Sequence, residues 1–191
     1  MKKNLFPILL ICLTTTQLAF SQSNKYFSKN AIISFDAEGK LDDIEEIKAT
    51  TKQAICIYDD ASRNFEWSVS IKSFVFANSL MQEHFNENYL ESSKYPKATF
   101  IGKIDPSNTL TFDKDGTYPV KVTGKLTMHG ITQNVSTSGM FNIQKGIISA
   151  SAKFEVTLAD YKIDIPTLVF MKVAEIVKIN VSTNLQPLKH P

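Results

Sequence analysis

The chain of 191 residues is poor in residues that constrain a fold covalently: it has two cysteines, seven glycines and seven prolines. Cys12 falls in an N-terminal segment that we expect to be removed, which leaves Cys56 alone. An intramolecular disulfide and a cysteine-based zinc site are thereby excluded. Cys56 lies between Ile55 and Ile57, and this setting indicates a small strand residue rather than a nucleophile. The fold must therefore depend on a hydrophobic core, which 43% hydrophobic residues can supply.

An excess of charge of one sign is also missing. The formal net charge is +2, from 21 basic and 19 acidic side chains. Without the two lysines at positions 2 and 3, the basic and acidic side chains are equal in number. A chain near neutrality offers no electrostatic surface for nucleic acid or for an anionic membrane. We therefore expect no nucleic-acid partner and no stable membrane insertion.

The N-terminus has the layout of a cleavable secretory signal. Two lysines precede an apolar stretch over residues 5–13, and Ala19 and Ser21 put small residues where a signal peptidase cleaves. The apolar stretch is shorter than the ~20 residues that a membrane-spanning helix needs. Ile11 stands before Cys12 where a lipoprotein anchor requires a small residue.

These features predict a signal peptide over residues 1–21, cleaved near Ser21, and one domain over residues 22–191. The protein is then expected to be periplasmic or secreted.

The remaining chain alternates apolar and polar residues with a period of two, which is typical of antiparallel strands with one dry face. The clearest segment places Tyr118, Val120, Val122, Leu126 and Met128 on one face. Turns at residues 129–130 and 145–146 lead to strands over residues 131–143 and 148–158. Further strands are predicted over residues 31–35, 46–58, 65–76, 98–104 and 174–185. Gly116 is expected at a positive-φ position in a hairpin loop.

One segment has helical spacing instead. Leu80, Met81 and Phe85 recur at that spacing within residues 78–90, and Asn78 or Ser79 can cap the start. The chain is thus all-β with one short helix. Eight antiparallel strands either pack as two sheets or close into a barrel. Alternation alone does not decide between these two.

Three segments resemble the sequence pattern of the YceI-like family. SLMQEHF at residues 79–85 leads into KYPKATF at residues 94–100, GKLTMHGIT at residues 124–132 resembles the family's G-x-L-T-x-H-G-x-T hairpin, and DYKI at residues 160–163 resembles its D-Y-x-I segment. They occur in the family's order. Residues 37–53, with acidic residues clustered at 42–46, differ from the pattern of many members.

The resemblance implies an antiparallel eight-stranded lipocalin-like barrel. Its bore would take a hydrophobic small molecule: a polyisoprenoid, an isoprenoid quinone or a fatty acyl chain. It implies neither catalysis nor a cofactor beyond such a bound lipid. The side chains expected to line the bore are apolar and lie mainly on the helix and its flanking strands: Trp67, Phe74, Phe76, Leu80, Met81, Phe85, Phe100, Leu126 and Phe154.

The family motifs also contain polar and turn residues, to which we assign structural roles: His84, Tyr95, Pro96, His129, Gly130 and Thr132. The histidines are expected to hydrogen-bond at the helix-to-strand junction and at the hairpin turn, not to bind a metal. The acidic cluster lacks the glycine-turn spacing of a calcium loop, so we interpret it as a solvated strand end or loop.

Two other functions stay open from the sequence. A barrel filled by its own side chains would be a ligand-free envelope stress or interaction module, and the volume of the interior distinguishes it from a carrier. An esterase would need Ser79 and His84 with a distant acid, but five residues on a helix separate these two. No G-x-S-x-G, H-E-x-x-H or phosphate-loop motif is present.

Overall fold

The computed structural model describes residues 25–38, 47–165 and 173–188. The predicted signal peptide with Cys12, the acidic cluster at residues 42–46 and His190 lie outside these ranges.

The described strands form one closed antiparallel barrel. They are β1 (Lys25–Glu38), β2 (Lys48–Asp59), β3 (Asn64–Ser70), β4 (Val75–Phe76), β5 (Lys97–Ile104), β6 (Gly116–Met128), β7 (Ile131–Gln144), β8 (Ile147–Thr157) and β9 (Val173–Pro187). Eight of them follow the order β1-β9-β8-β7-β6-β5-β3-β2, and antiparallel pairing of β1 with β2 closes the ring. The two residues of β4 pair with the start of β2. The predicted eight-stranded barrel is confirmed.

The alternating sequence produces the barrel because each long strand buries one face. In β6, Val120 and Leu126 are buried and Lys121 and Lys125 are exposed. β6 pairs with β7 without interruption from one end to the other. Both hairpin turns have positive φ at two successive residues, as the tight turns that match strand twist require. The pairs are His129 with Gly130 and Lys145 with Gly146.

The predicted strand over residues 65–76 is wrong at its centre. β3 ends at Ser70, a 3₁₀ turn spans Ile71–Ser73, and β4 follows. The turn shifts the phase of the chain, so that Phe74 and Phe76 are both buried while Val75 is 66% exposed. The hydroxyl of Ser73 supports the turn by donating to the carbonyl of Ser70 at 2.7 Å.

Two smaller predictions also differ from the structure. β1 extends well beyond the predicted residues 31–35. The prediction was too short because irregularities on either side of Ala31 break the alternation of apolar and polar residues along the strand. Gly116 begins β6, and the positive-φ glycines of the described chain are Gly130 and Gly146 instead. The loop before β6 is therefore longer than a tight hairpin turn.

The predicted helix is present as α1 (Ser79–His84), continued by a π-helical turn over Phe85–Tyr89. The side-chain oxygen of Asn78 accepts hydrogen bonds from the backbone N–H of Leu80 at 2.8 Å and of Met81 at 3.2 Å, which is an N-cap. The ring of Phe85 packs against Phe35, at 5.4 Å between centroids. We call this end of the barrel, with α1, Phe35, Phe74, Phe76 and Phe85, the helix end.

The opposite end contains a second group of rings, which we call the aromatic end: Tyr26, Tyr58, Phe65, Phe112 and Phe141. Phe112 comes from the loop between β5 and β6. Its ring lies 5.6 Å from Tyr58 and 5.7 Å from Phe141.

Candidate functional site

An internal cavity of about 580 Å³ lies between the two ends of the barrel. Side chains from β1, β3, β5 to β9 and α1 border it. This volume is in the range of pockets that hold small organic ligands, roughly 300–1,000 Å³.

The wall of the cavity is apolar. None of the described bordering residues is an aspartate, glutamate, lysine or arginine. The polar groups on it are few: Ser68, Asn78, His84, Tyr89, Thr99, Thr137 and Ser151. The described part of the wall thus offers no charged side chain to an ionised ligand, and it favours an apolar one.

Several inward-pointing side chains show that this part of the barrel is hollow. The strand register places Val122, Val135, Ala152 and Phe154 on the inner face, yet each is only partly buried. Their remaining exposed surface borders the cavity. In a filled barrel the same positions would be covered by their neighbours.

The aromatic end, in contrast, is packed. Ile104, Ile143, Ile148 and Leu185 point inward there, are buried, and do not border the cavity. Tyr58 and Phe141 are also buried, and the hydroxyl of Tyr58 donates to Asp60 at 3.1 Å. The barrel is therefore packed at the aromatic end and hollow beyond it, and the hollow part is closed at the aromatic end.

All nine side chains predicted to line the bore border this cavity: Trp67, Phe74, Phe76, Leu80, Met81, Phe85, Phe100, Leu126 and Phe154. That they contact a bound ligand stays a prediction. The cavity is also lined by positions on β7 to β9 that were not predicted, among them Val135, Ala152 and Ile179. The same period-two alternation could have indicated them.

A pair of glycines on neighbouring strands makes room for one lining ring. Gly102 and Gly124 are cross-strand partners on β5 and β6. A Cβ atom on Gly124 would lie 2.6 Å from the ring of Phe100 and 2.5 Å from the carbonyl oxygen of Ile101. Phe100 can lie along the wall only because both neighbours lack a side chain, and this keeps the bore open.

The family-motif residues converge on His129, outside the cavity. The ring Nδ1 donates to the backbone carbonyl of Tyr161 at 2.9 Å, and Nε2 lies 2.8 Å from Oε2 of Glu91. The ring of Tyr95 lies edge-on to the imidazole at 4.8 Å. One side chain thus joins the segment after the helix, the β6–β7 turn and the segment after β8.

The other motif residues support the same junction. A Cβ atom on Gly130 would come within 2.6 Å of the Tyr95 ring. The carbonyl of Pro96 accepts a hydrogen bond from the N–H of Ile71 at 3.0 Å. The hydroxyl of Thr132 pairs across the hairpin with that of Thr127 at 2.8 Å.

His84 is separate from this junction. It borders the cavity at the helix end, and its Nδ1 accepts a hydrogen bond from the Asn88 side-chain amide at 2.8 Å. Within the described residues no three His, Cys, Asp or Glu side chains group as metal ligands would. No described helix has both the length and the apolarity to cross a membrane.

A family model described as the YceI-like domain matches residues 14–185. The chain belongs to the YceI-like family. The resemblance of the three sequence segments is thereby confirmed. No curated protein sequence matches this YceI-like chain.

Solved structures share the fold of this YceI-like protein. A polyisoprenoid binding domain from Saccharophagus degradans, implicated in plant cell wall breakdown, has a TM-score of 0.72 and 12% identity over 87% of this chain and 100% of that one. BcnA of Burkholderia cenocepacia has a TM-score of 0.63 and 17% identity over 81% and 96%. A Campylobacter jejuni YceI protein has a TM-score of 0.56 and 20% identity over 79% and 90%.

We predict that the junction at His129 stabilises the YceI-like fold. His129→Asn keeps a residue that tolerates the positive φ but removes both hydrogen bonds of the ring. We expect a loss of about 2 kcal/mol in the free energy of unfolding. For a domain of this size that is about 4–8 °C in melting temperature, measured by circular dichroism.

Lys145→Asn is the matched control for this prediction. Lys145 occupies the equivalent turn position in the β7–β8 hairpin, also precedes a glycine, and has an exposed side chain. Asparagine suits such a turn, so the control should melt at or slightly above the wild-type temperature. Equal melting temperatures for His129→Asn and wild type would contradict the assigned role.

Three buried side chains of the barrel resist ionisation. Burial raises the pKa of the Cys56 thiol far above its ordinary value, and Cys56 is fully buried in β2 as a small strand residue. Burial, together with Asp60, raises the pKa of Tyr58. Burial also raises the pKa of Tyr161 to about 12.

These raised pKa values predict that the protein loses stability in alkali. Below the ordinary values of 9.0 for the thiol and 10.0 for the phenols, both states keep their protons and the stability is complete. Above them the unfolded chain releases protons that the folded chain retains, so the free energy of unfolding falls. The urea midpoint should therefore decrease between about pH 8 and about pH 11, and less so for Cys56→Ala. A constant midpoint would contradict the prediction.

Proposed function

We propose that this YceI-like protein binds one long apolar lipid inside its barrel and sequesters or transports it. The ligand would be a polyisoprenoid, an isoprenoid quinone or a fatty acyl chain. The observation that carries the proposal is the 580 Å³ cavity, whose described wall has no Asp, Glu, Lys or Arg side chain.

The apolar wall supplies the binding energy in this proposal. Each methylene transferred from water to such a wall contributes about 0.8 kcal/mol. A chain of a dozen carbons needs no polar contact to bind tightly at that rate. The hollow part of the barrel also favours a carrier over a ligand-free envelope stress or interaction module, which would be filled throughout.

The polar end of the lipid would lie at the helix end. Asn78 and His84 border the cavity there, and the side chain of Leu80 is more than half exposed. The similar domain from Saccharophagus degradans is described as polyisoprenoid binding, and this supports an isoprenoid tail as one ligand class.

We further propose that the protein binds without turnover. Ser79 and His84 are the serine and histidine that an esterase would need, but the described partner of the His84 ring is Asn88. Should any hydrolase activity be detected, His84→Ala is expected to leave it unchanged. A loss of that activity in the variant would favour the esterase instead.

The proposal also includes export of the protein from the cytoplasm. The lysines, apolar stretch and small residues over residues 1–21 predict cleavage near Ser21 and a periplasmic or secreted product. N-terminal sequencing of the protein from its own cells, after fractionation, tests this directly. An uncleaved chain in the cytoplasmic fraction would refute it.

Native mass spectrometry of the protein purified from its own cells tests lipid binding. We expect an added mass that is lost on extraction with organic solvent and identified in the extract as a lipid. The stripped protein should then take up an added prenyl alcohol or fatty acid. An unloaded mass together with no uptake of either probe would favour the ligand-free module.

A further inference from the structure

We propose that the aromatic end limits the length of the chain that this barrel can enclose. The inference rests on the proposed function and specifies its ligand: one apolar chain of up to roughly 20 carbons, with any further length left outside at the helix end. The closure of one end of the cavity by Phe141 and the rings behind it carries the inference.

Two aromatic rings border the cavity at its closed end and form the surface that a bound chain would meet there. Phe65 of β3 and Phe141 of β7 lie 5.8 Å apart between ring centroids, although β5 and β6 separate these two strands around the barrel. Behind them Tyr58 contacts both, at 4.9 Å from Phe65 and 5.7 Å from Phe141. Tyr58 is completely buried and does not border the cavity. A chain end that reaches Phe141 therefore meets packed side chains.

The loop at residues 105–115 reinforces this closure from outside. It places Phe112 against Tyr58 and Phe141, and Leu110 of the same loop is buried. The guanidinium of Arg63 donates to the carbonyl of Asn108 at 2.7 Å, and the side-chain oxygen of Asn108 accepts from the N–H of Lys121 at 2.8 Å. These bonds attach the loop to the β2–β3 turn and to β6, so the closure of the aromatic end is part of the fold.

The volume of the cavity sets the number of carbons. A methylene takes up about the space of a water molecule in the liquid, roughly 30 Å³. A cavity of 580 Å³ then accepts roughly 20 carbons, or about four isoprene units.

The depth of the cavity indicates a single chain. Val120 and Met128 both border it on β6, eight residues apart. At about 3.4 Å per residue and a strand tilt of about 40°, this is about 20 Å along the barrel axis. The mean cross-section is then about 30 Å², which accommodates one hydrocarbon chain and not two side by side.

Binding of linear primary alcohols to the delipidated full-length mature protein tests the limit. Affinity should rise about fourfold for each added methylene, because each one leaves water. The rise should stop at roughly 20 carbons, since further methylenes stay outside the cavity. Dissociation constants are measured by isothermal titration calorimetry for alcohols of about 12 to about 28 carbons. They locate the break, which is the chain length at which the affinity stops rising.

Two substitutions at one cross-strand pair should move the break in opposite directions. Phe141 and Ala150 are partners on β7 and β8, and both border the cavity at its closed end. Phe141→Ala should move the break up by roughly four carbons, and Ala150→Phe should move it down by a similar number. The double variant Phe141→Ala, Ala150→Phe carries one phenyl ring at this cross-strand pair, as the wild type does. Its break should therefore return towards the wild-type chain length. Phe141→Leu replaces Phe141→Ala if the latter does not fold.

Each outcome is decisive. Binding that strengthens without a break, or a break that neither substitution moves, overturns the length limit and leaves the proposed function standing. An absence of binding at every length overturns the proposed function and the limit with it. A break near the stated length that Phe141→Ala moves up and Ala150→Phe moves down supports the length limit and the proposed function.

Discussion

Leu126→Asp is expected to leave the protein unfolded, whereas Ile101→Asp should fold with nearly wild-type stability. The two positions lie on adjacent strands, where Leu126 pairs with Phe100 and Ile101 pairs with Lys125. Leu126 is 8% exposed and faces the cavity wall, and Ile101 is 63% exposed on the outer face. The comparison therefore isolates the direction of the side chain.

The size of the difference follows from the cost of burying a charge. An aspartate at position 126 would enter a wall without a described cationic partner, at a cost of several kcal/mol. That cost is comparable with the total stability of a domain, about 5–15 kcal/mol. At position 101 the carboxylate remains in water and lies opposite Lys125, which compensates for part of the lost strand propensity.

Circular dichroism melts of both variants and the wild type measure this difference. Phe100→Asp, which also faces the cavity, should behave as Leu126→Asp does. A wild-type melting temperature for either inward variant would show that the inner and outer faces of β5 and β6 have been assigned incorrectly.

Ala152→Trp should weaken lipid binding by roughly a thousandfold while the barrel still folds. Ala152 lies on the inner face of β8, and its side chain is only partly buried because it borders empty space. The indole would occupy space for roughly five methylenes. Their loss corresponds to about 4 kcal/mol of transfer free energy. Filling existing space should cost less stability than inserting a ring into a packed core.

Lys153→Trp is the matched control on the neighbouring residue of the same strand. Lys153 is exposed and does not border the cavity, so the indole would lie outside and the affinity should stay within a factor of about two of wild type. Both variants are loaded with the same prenyl alcohol and compared by native mass spectrometry and calorimetry. Undiminished binding in Ala152→Trp would place the ligand somewhere other than the bore.

Local pattern in the sequence predicted most of the strands and their inner faces. Period-two alternation indicates which side of β6 or β8 is apolar, because successive side chains point to opposite faces of any strand. Where alternation breaks, the prediction failed. The irregularities beside Ala31 concealed most of β1, and the turn at Ile71–Ser73 divided a segment predicted as one strand.

The sequence by itself determined the dry faces of the strands, the helix with its Asn78 cap, the two glycine-containing hairpin turns and, through three motifs, the family. All of these depend on residues close together in the chain. Only the tertiary structure decided that β1 pairs with β2 to close the barrel, and that Glu91, His129 and Tyr161 meet at one junction. It also decided the depth of the cavity, because a loop remote in sequence from β2 and β7 brings Phe112 against Tyr58 and Phe141. Closure and depth depend on contacts between distant segments, and no local periodicity encodes which segments meet.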